Sequence, residues 1–164
     1  MLAELLQLRL AVTFANRPKT TPALHAMKEI SVTCALIEQA GKVLVTQRSP
    51  TMPLPLLWEF PGGKVHDGET EEACLIREIQ EELNLEIEPL QHLTPVVHYD
   101  GAKTIILIPF VCRIISGEIK LAEHTQSRWA YPANLMQFAW CPADLPIVEE
   151  YMRLRNLSES GFTG

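Results

Sequence analysis

The stretch from Gly63 to Leu85, GKVHDGETEEACLIREIQEELNL, constrains this chain more than any other segment. It follows a Pro61-Gly62 turn and sets Glu69, Arg77, Glu78, Glu81 and Glu82 at fixed offsets. Thr70 is placed to cap a helix, Glu71 and Glu72 suit the positive end of its dipole, and Asn84 tolerates the left-handed conformation that ends it. The spacing therefore predicts a helix ending near Leu83. At about 100° per residue, Glu78, Glu81 and Glu82 share one face, with Glu71 near it, while Ile76, Ile79 and Leu83 share the opposite one. Such a helix needs an apolar layer beneath it and a cation to offset three neighbouring carboxylates. Mg²⁺ or Mn²⁺ fits the second need, taking oxygen ligands and leaving room for water and phosphate oxygens. Taken alone, an acidic string reads more simply as a solvated face. What weighs against that here is Arg77, whose guanidinium can fork to a carboxylate such as Glu69, and a glycine turn whose backbone can approach a metal or phosphate closely.

Around this helix the pattern alternates strands with short helices. Ile30–Ile37 and Val43–Gln47 are rich in β-branched residues and flank a Gln39-Ala40-Gly41 turn. Residues 49–57 hold three prolines and read as a loop, leading into Trp58-Glu59-Phe60. Further strands are expected at 92–99, 104–115 and 127–130, with a turn at Ser116-Gly117, then helices near Ala133–Phe138 and Pro146–Leu154. That order favours an α+β fold with a mixed sheet over a doubly wound parallel one. The expected organisation is an N-terminal extension over 1–26, a core domain over 27–155 and a tail over 156–164. Residues 1–26 read either as a loosely attached extension, with a short helix over 2–10, or as sequence upstream of a true start at Met27.

Bulk properties exclude several classes. The net charge of −6 argues against broad nucleic-acid or membrane-surface binding. No apolar run is long enough to span a bilayer, and the N-terminus lacks the basic region of a secretory leader. Cys34, Cys74, Cys112 and Cys141 show no CxxC spacing, so reduced thiols in a cytoplasmic protein are expected rather than a zinc site. Nothing in the pattern chooses between a monomer and a homodimer.

The segment resembles the Nudix box, G-x5-E-x7-R-E-U-x-E-E-x-G-U with U aliphatic, through Gly63, Glu69, Arg77, Glu78, Ile79, Glu81, Glu82 and Leu85. Asn84 stands where that pattern has glycine. Three flanking features narrow the resemblance to MutT-like members: the lead-in WEFPGGK, Gln47-Arg48 eleven residues before Glu59, and the late run Pro142-Ala143-Asp144-Leu145-Pro146. The resemblance covers roughly residues 28–155 and implies a Nudix-like α/β/α sandwich. It also implies metal-dependent hydrolysis of a nucleoside triphosphate to monophosphate and pyrophosphate, with Mg²⁺ as cofactor and Mn²⁺ as substitute. By position, Glu78 and Glu82 with the Gly62 carbonyl would bind the metal. Glu81 would be a further ligand or base, Glu69 and Arg77 would hold the loop–helix geometry, and Glu123 would be the ligand or base from a later loop. Glu59, Phe60, Pro61 and Gly62 belong to the expected substrate-binding strand and turn. Lys64 and Arg48 are expected phosphate or substrate contacts, with ordinary surface charge as the alternative. Trp140 and Phe110 either line a base pocket or are core.

Asp144 occupies the position at which the MutT-like pattern reads the base edge, where an 8-oxoguanine sanitiser carries Asn; capping the last helix is its alternative role. Ionised, it only accepts hydrogen bonds; protonated, it can also donate. The favoured reading is an 8-oxo-dGTP diphosphatase that cleans the nucleotide pool. A CTP or modified-dCTP pyrophosphohydrolase is the alternative, and a non-catalytic 8-oxoguanine-recognition module is disfavoured because every charged position of the box is kept.

Overall fold

The computed structural model describes residues 28–160, with side chains to residue 156. The N-terminal extension expected over 1–26 lies outside the described residues. In chain order the elements are strands β1 (Glu29–Gln39), β2 (Lys42–Gln47) and β3 (Trp58–Glu59), helix α1 (Glu71–Leu83), strands β4 (Leu85–His92), β5 (Val96–Tyr99), β6 (Thr104–Gly117) and β7 (Gln126–Ala130), a 3₁₀ turn (Pro132–Gln137) and helix α2 (Leu145–Ser160). The helix α2 continues into the stretch read as a tail.

The sheet runs β3-β2-β1-β6-β4, with β5 also on β6 and β7 on β2. Among the described strands only β1 and β6 run parallel, over Glu29–Glu38 against Thr104–Arg113; the other strand pairs are antiparallel. This central pair is apolar on successive residues because both of its faces are covered. Cys34, Leu36, Leu107 and Val111 pack with Ile147, Val148 and Tyr151 of α2. Ala35, Ile37, Ile108, Phe110 and Cys112 pack with Leu75, Ile79 and Leu83 of α1. The result is the α/β/α sandwich around a mixed sheet that the sequence predicts.

Two local expectations change. The strand expected over 92–99 is two elements, and β4 begins directly after α1. Its sequence, LEIEPLQH, hides a strand behind Pro89, which the sheet tolerates because β4 lies at an edge and its register shifts between Pro89 and Gln91. The core side of α1 is also rotated. Cys74, Leu75, Ile79 and Leu83 are buried, whereas Ile76 is 39% exposed. At 100° per residue Glu82 projects within about 20° of Leu75. The carboxylate stripe therefore borders the core instead of opposing it, and Glu82 is buried.

Candidate active site

The site begins with backbone. After β3 the chain runs beside β1: Ala35 N–H donates to the Pro61 carbonyl and Thr33 N–H to the Gly63 carbonyl, both at 2.8 Å, and Val65 N–H donates to Ser31 at 3.0 Å. Among the described residues the intervening Gly62 carbonyl accepts no hydrogen bond. A Cβ at Gly62 would sit 2.0 Å from the Thr33 carbonyl oxygen, so only glycine permits this approach to β1. A Cβ at Gly63 would sit 2.0 Å from the Glu78 carboxyl carbon. The glycine pair thus brings the loop against the sheet on one side and against the α1 carboxylates on the other.

The helix forms as its caps predict. The Thr70 hydroxyl accepts from Ala73 N–H, and Asn84 takes the left-handed conformation at φ 56°, its N–H donating to the Gln80 carbonyl. Arg77 then ties the helix to the loop. Its Nε and Nη2 fork onto Glu69 at 2.8 and 2.9 Å, its Nη1 donates to Glu78 at 2.8 Å and to Glu81 at 3.4 Å, and Nη2 also reaches the Lys64 carbonyl at 3.3 Å. This fork holds the Glu69 carboxyl down to about 2 and raises the Arg77 guanidinium above its ordinary value.

Glu82 has the opposite environment. Burial is the main cause that pushes its carboxyl up to about 8, and the charges of Glu59, Glu78 and Glu123 add to it, while the Gly62 N–H, at 3.2 Å, opposes them. Among the described residues no three acidic, histidine or cysteine side chains converge as a ready-made cage. Mg²⁺ takes one or two carboxylates and completes its shell with water and phosphate oxygens, so Glu78 and Glu82 could hold it without a full protein cage. The buried Glu82 carboxyl and the Gly62 carbonyl, which accepts no hydrogen bond among the described residues, are oxygen donors of the kind such a cation takes.

On the other side of Glu82 lies a group assembled from distant parts of the chain. Glu59 Oε2 accepts from Arg48 Nη1 at 2.5 Å, and Glu59 Oε1 lies 3.0 Å from His124 Nε2. Arg48 Nε also donates to the Pro53 carbonyl. Arg48 is thereby engaged with a carboxylate and the proline loop, not extended as a free cation. Cys141 N–H donates to the Trp58 carbonyl and Trp58 N–H to the Ala139 carbonyl, both at 2.8 Å, which fastens the 139–141 segment to β3. Asp144 is buried and accepts from Phe60 N–H at 3.0 Å. Burial drives its carboxyl up to about 8, against the Phe60 hydrogen bond and with help from Glu59. Its backbone carbonyl accepts the Val148 N–H that opens α2, so it stands at the helix start while its side chain serves β3.

The structure thus sets the Gly62 N–H on Glu82, places Glu59, Glu78 and Glu123 close enough to Glu82 for their charges to raise its carboxyl, and joins Glu69, Glu78 and Glu81 in the Arg77 fan. Glu81 is largely exposed at 62% of its side chain. Lys64 is exposed, while Phe60 and Pro61 are buried in the strand and turn. Trp140 packs on Phe60, ring centroids 4.9 Å apart, and donates its Nε1–H to the Leu135 carbonyl. Phe110 belongs to the α1 side of the sheet, against His92, and is core, not pocket lining. His124 is the residue that sequence reasoning missed. Its one sequence signal is adjacency to Glu123. Two surface depressions, one beside Glu38, Tyr151 and Arg155 and one beside Thr94, Val96 and Glu150, include none of the candidate residues.

The NUDIX domain family model matches residues 27–151. The chain belongs to the Nudix family. Members generally act with divalent metal ions, in keeping with the Glu82 environment. The chain is 34% identical over 129 residues to the CTP pyrophosphohydrolase of Escherichia coli (strain K12), covering 79% of this chain and 96% of the relative. It is 25% identical over 129 residues to the 8-oxo-dGTP diphosphatase of the same organism, covering 78% of this chain and all of the relative. Among solved structures, the MutT protein of Methanosarcina mazei Go1 superposes with a TM-score of 0.70 at 25% identity, over 80% of this chain and 97% of that one. Among the described residues of this Nudix hydrolase, no helix is long and apolar enough to cross a membrane.

Proposed function

We propose that this Nudix hydrolase cleaves nucleoside triphosphates to monophosphate and pyrophosphate in the presence of Mg²⁺, with 8-oxo-dGTP as its favoured substrate. The observation that carries the reaction class is Glu82, buried beside Gly62 and pressed by the charges of Glu59, Glu78 and Glu123. Glu78 and Glu82 with the Gly62 carbonyl would hold the cation. When bound, the cation neutralises phosphate charge and acidifies water for in-line attack on phosphorus. The Arg77–Glu69 fork fixes the loop against α1, so that Gly62 and Glu78 keep their relative position. Glu123 and the exposed Glu81 are the candidates to take the proton of the attacking water, and Lys64 is free to contact a phosphate. A water oxygen bonds to phosphorus as the P–O bond to pyrophosphate breaks.

The base is read at Asp144. Burial favours its protonated form near neutral pH, and Oδ1 already accepts from Phe60 N–H, which leaves a hydroxyl able to donate to a base-edge acceptor. Guanine O6 meets that need. A cytosine ring acceptor meets it too, and the 34% identity to a CTP pyrophosphohydrolase favours CTP as the second reading. Turnover of 8-oxo-dGTP, dGTP, CTP and 5-methyl-dCTP with Mg²⁺, followed by ³¹P NMR of the products, tests both. The expected result is monophosphate and pyrophosphate, fastest from 8-oxo-dGTP. A higher kcat/KM on CTP selects the second reading, and release of orthophosphate contradicts the reaction class.

A further inference from the structure

We propose that His124 is a positioning residue for the metal site, acting through Glu59 to hold the loop that carries Glu123. The inference rests on the metal-dependent reading above and extends it to a residue outside the Nudix box. The loop between β6 and β7 is fastened on both sides of Glu123. Before it, Lys120 N–H donates to the Leu83 carbonyl at 2.9 Å and Ala122 N–H to the Glu82 carbonyl at 3.0 Å, using acceptors that the end of α1 leaves open. After it, Thr125 N–H donates to the Gln47 carbonyl at 2.9 Å. Between these clamps the two side chains part. Glu123 is exposed and close enough to Glu82 to raise its carboxyl, whereas the His124 side chain is 1% exposed and meets Glu59 at 3.0 Å.

The chemistry of that contact fixes its direction. Glu59 Oε2 is taken by Arg48, so Oε1 of the same carboxylate accepts, and His124 Nε2 donates. The other ring nitrogen, Nδ1, is buried with no partner among the described residues. A buried imidazole with one nitrogen unsatisfied is a costly way to fill space, and an apolar side chain would fill it better. The Glu59 bond is what the imidazole supplies. It joins the Glu123 loop to β3, whose continuation provides Gly62, and so adds a side-chain link between the two parts of the cation's proposed surroundings.

The test uses the full chain and Mn²⁺, with free Mn²⁺ read by electron paramagnetic resonance, and Mg²⁺-dependent turnover measured in parallel. Variants are His124→Phe, which fills the space without a donor, His124→Gln, whose Nε2 can still reach Glu59, Glu123→Gln, and the His124→Phe/Glu123→Gln pair. His124→Phe should weaken Mn²⁺ binding about 10- to 100-fold, as loss of a group supporting a ligand does, and lower kcat more than it alters KM. His124→Gln should recover most of that loss. In the double variant the Mn²⁺ losses should not add, because both act through Glu123. Unchanged Mn²⁺ affinity in His124→Phe, additive losses, equal behaviour of the Gln and Phe variants, or no Mn²⁺ binding by the wild type would each overturn the proposal. Should His124→Phe fail to fold, His124→Asn, whose amide overlays Nδ1 and not Nε2, replaces it against His124→Gln, and equal affinities overturn it. A wild type that binds Mn²⁺ but leaves all four nucleotides intact contradicts the proposed reaction while the Mn²⁺ comparison still decides the role of His124.

Discussion

Glu69 and Glu82 flank the same loop–helix junction, yet their carboxyls are driven in opposite directions. Glu69 is held down to about 2 by the fork of Arg77, and Glu82 is raised to about 8 by burial and by Glu59, Glu78 and Glu123. Among the described residues a cation, Arg77, meets Glu69 and none pairs with Glu82. The Arg77 fan is thus a finished structural joint. On the proposed reading, the Glu82 side is where a divalent cation from outside would offset the crowded carboxylates. Substitutions on the two sides should differ in kind as well as size.

The largest effect is expected at Glu82. Glu82→Gln should lower kcat by about 10³-fold or more with KM nearly unchanged, since the loss falls on charge that the reaction requires. The folded protein should remain, because a neutral amide replaces a carboxyl that burial already keeps protonated without a cation; steady-state kinetics and a thermal melt check both, and near-normal turnover would break the contrast. Arg77→Ala should come next, at roughly 10- to 100-fold in activity through misplacement of the loop. Arg77→Lys should rescue little of it, because an ammonium cannot reproduce the two-pronged contact with Glu69. Gly63→Ala should cost about tenfold, because the new methyl displaces the Glu78 carboxylate while the fold survives.

The pH dependence of stability sharpens the comparison. The Glu69 contribution is complete above its unfolded value and is lost as pH falls towards 2. Glu82 and Asp144, whose carboxyls are raised, contribute the other way: the folded state keeps protons that the unfolded chain has released, so stability is complete below about 4 and declines as pH rises through about 8. Each raised group adds a slope of at most about 1.4 kcal/mol per pH unit in that window. Asp144→Asn keeps an acceptor for Phe60 N–H and should flatten part of the decline, seen as a smaller fall in Tm between pH 5 and 8. An unchanged fall would show that Asp144 does not retain its proton.

How legible these two sides are in the sequence follows from how local they are. Thr70, Asn84, Glu69, Arg77 and Glu78 interact within one loop and helix, so spacing and residue type suffice. The angular reading of α1 fails at Ile76 and Glu82 because sequence gives relative angles but not which face meets the sheet. The Arg48–Glu59–His124 group spans three segments, and the link from Asp144 to Phe60 crosses 84 positions. No periodicity reports such contacts. His124 reads as one polar residue in a polar loop until the sheet brings Glu59 to it. Strand β4 is obscured by Pro89 for a related reason, since only its edge position makes proline acceptable.

The most direct measurement is the number of protons released when Mn²⁺ binds at pH 7, obtained by titration calorimetry in buffers of different ionisation enthalpy. If Glu82 retains its proton until a cation replaces it, the wild type should release close to one proton per Mn²⁺ and Glu82→Gln none. Binding without proton release, or the same release from both proteins, would contradict the assignment of Glu82 as the carboxylate that awaits the metal.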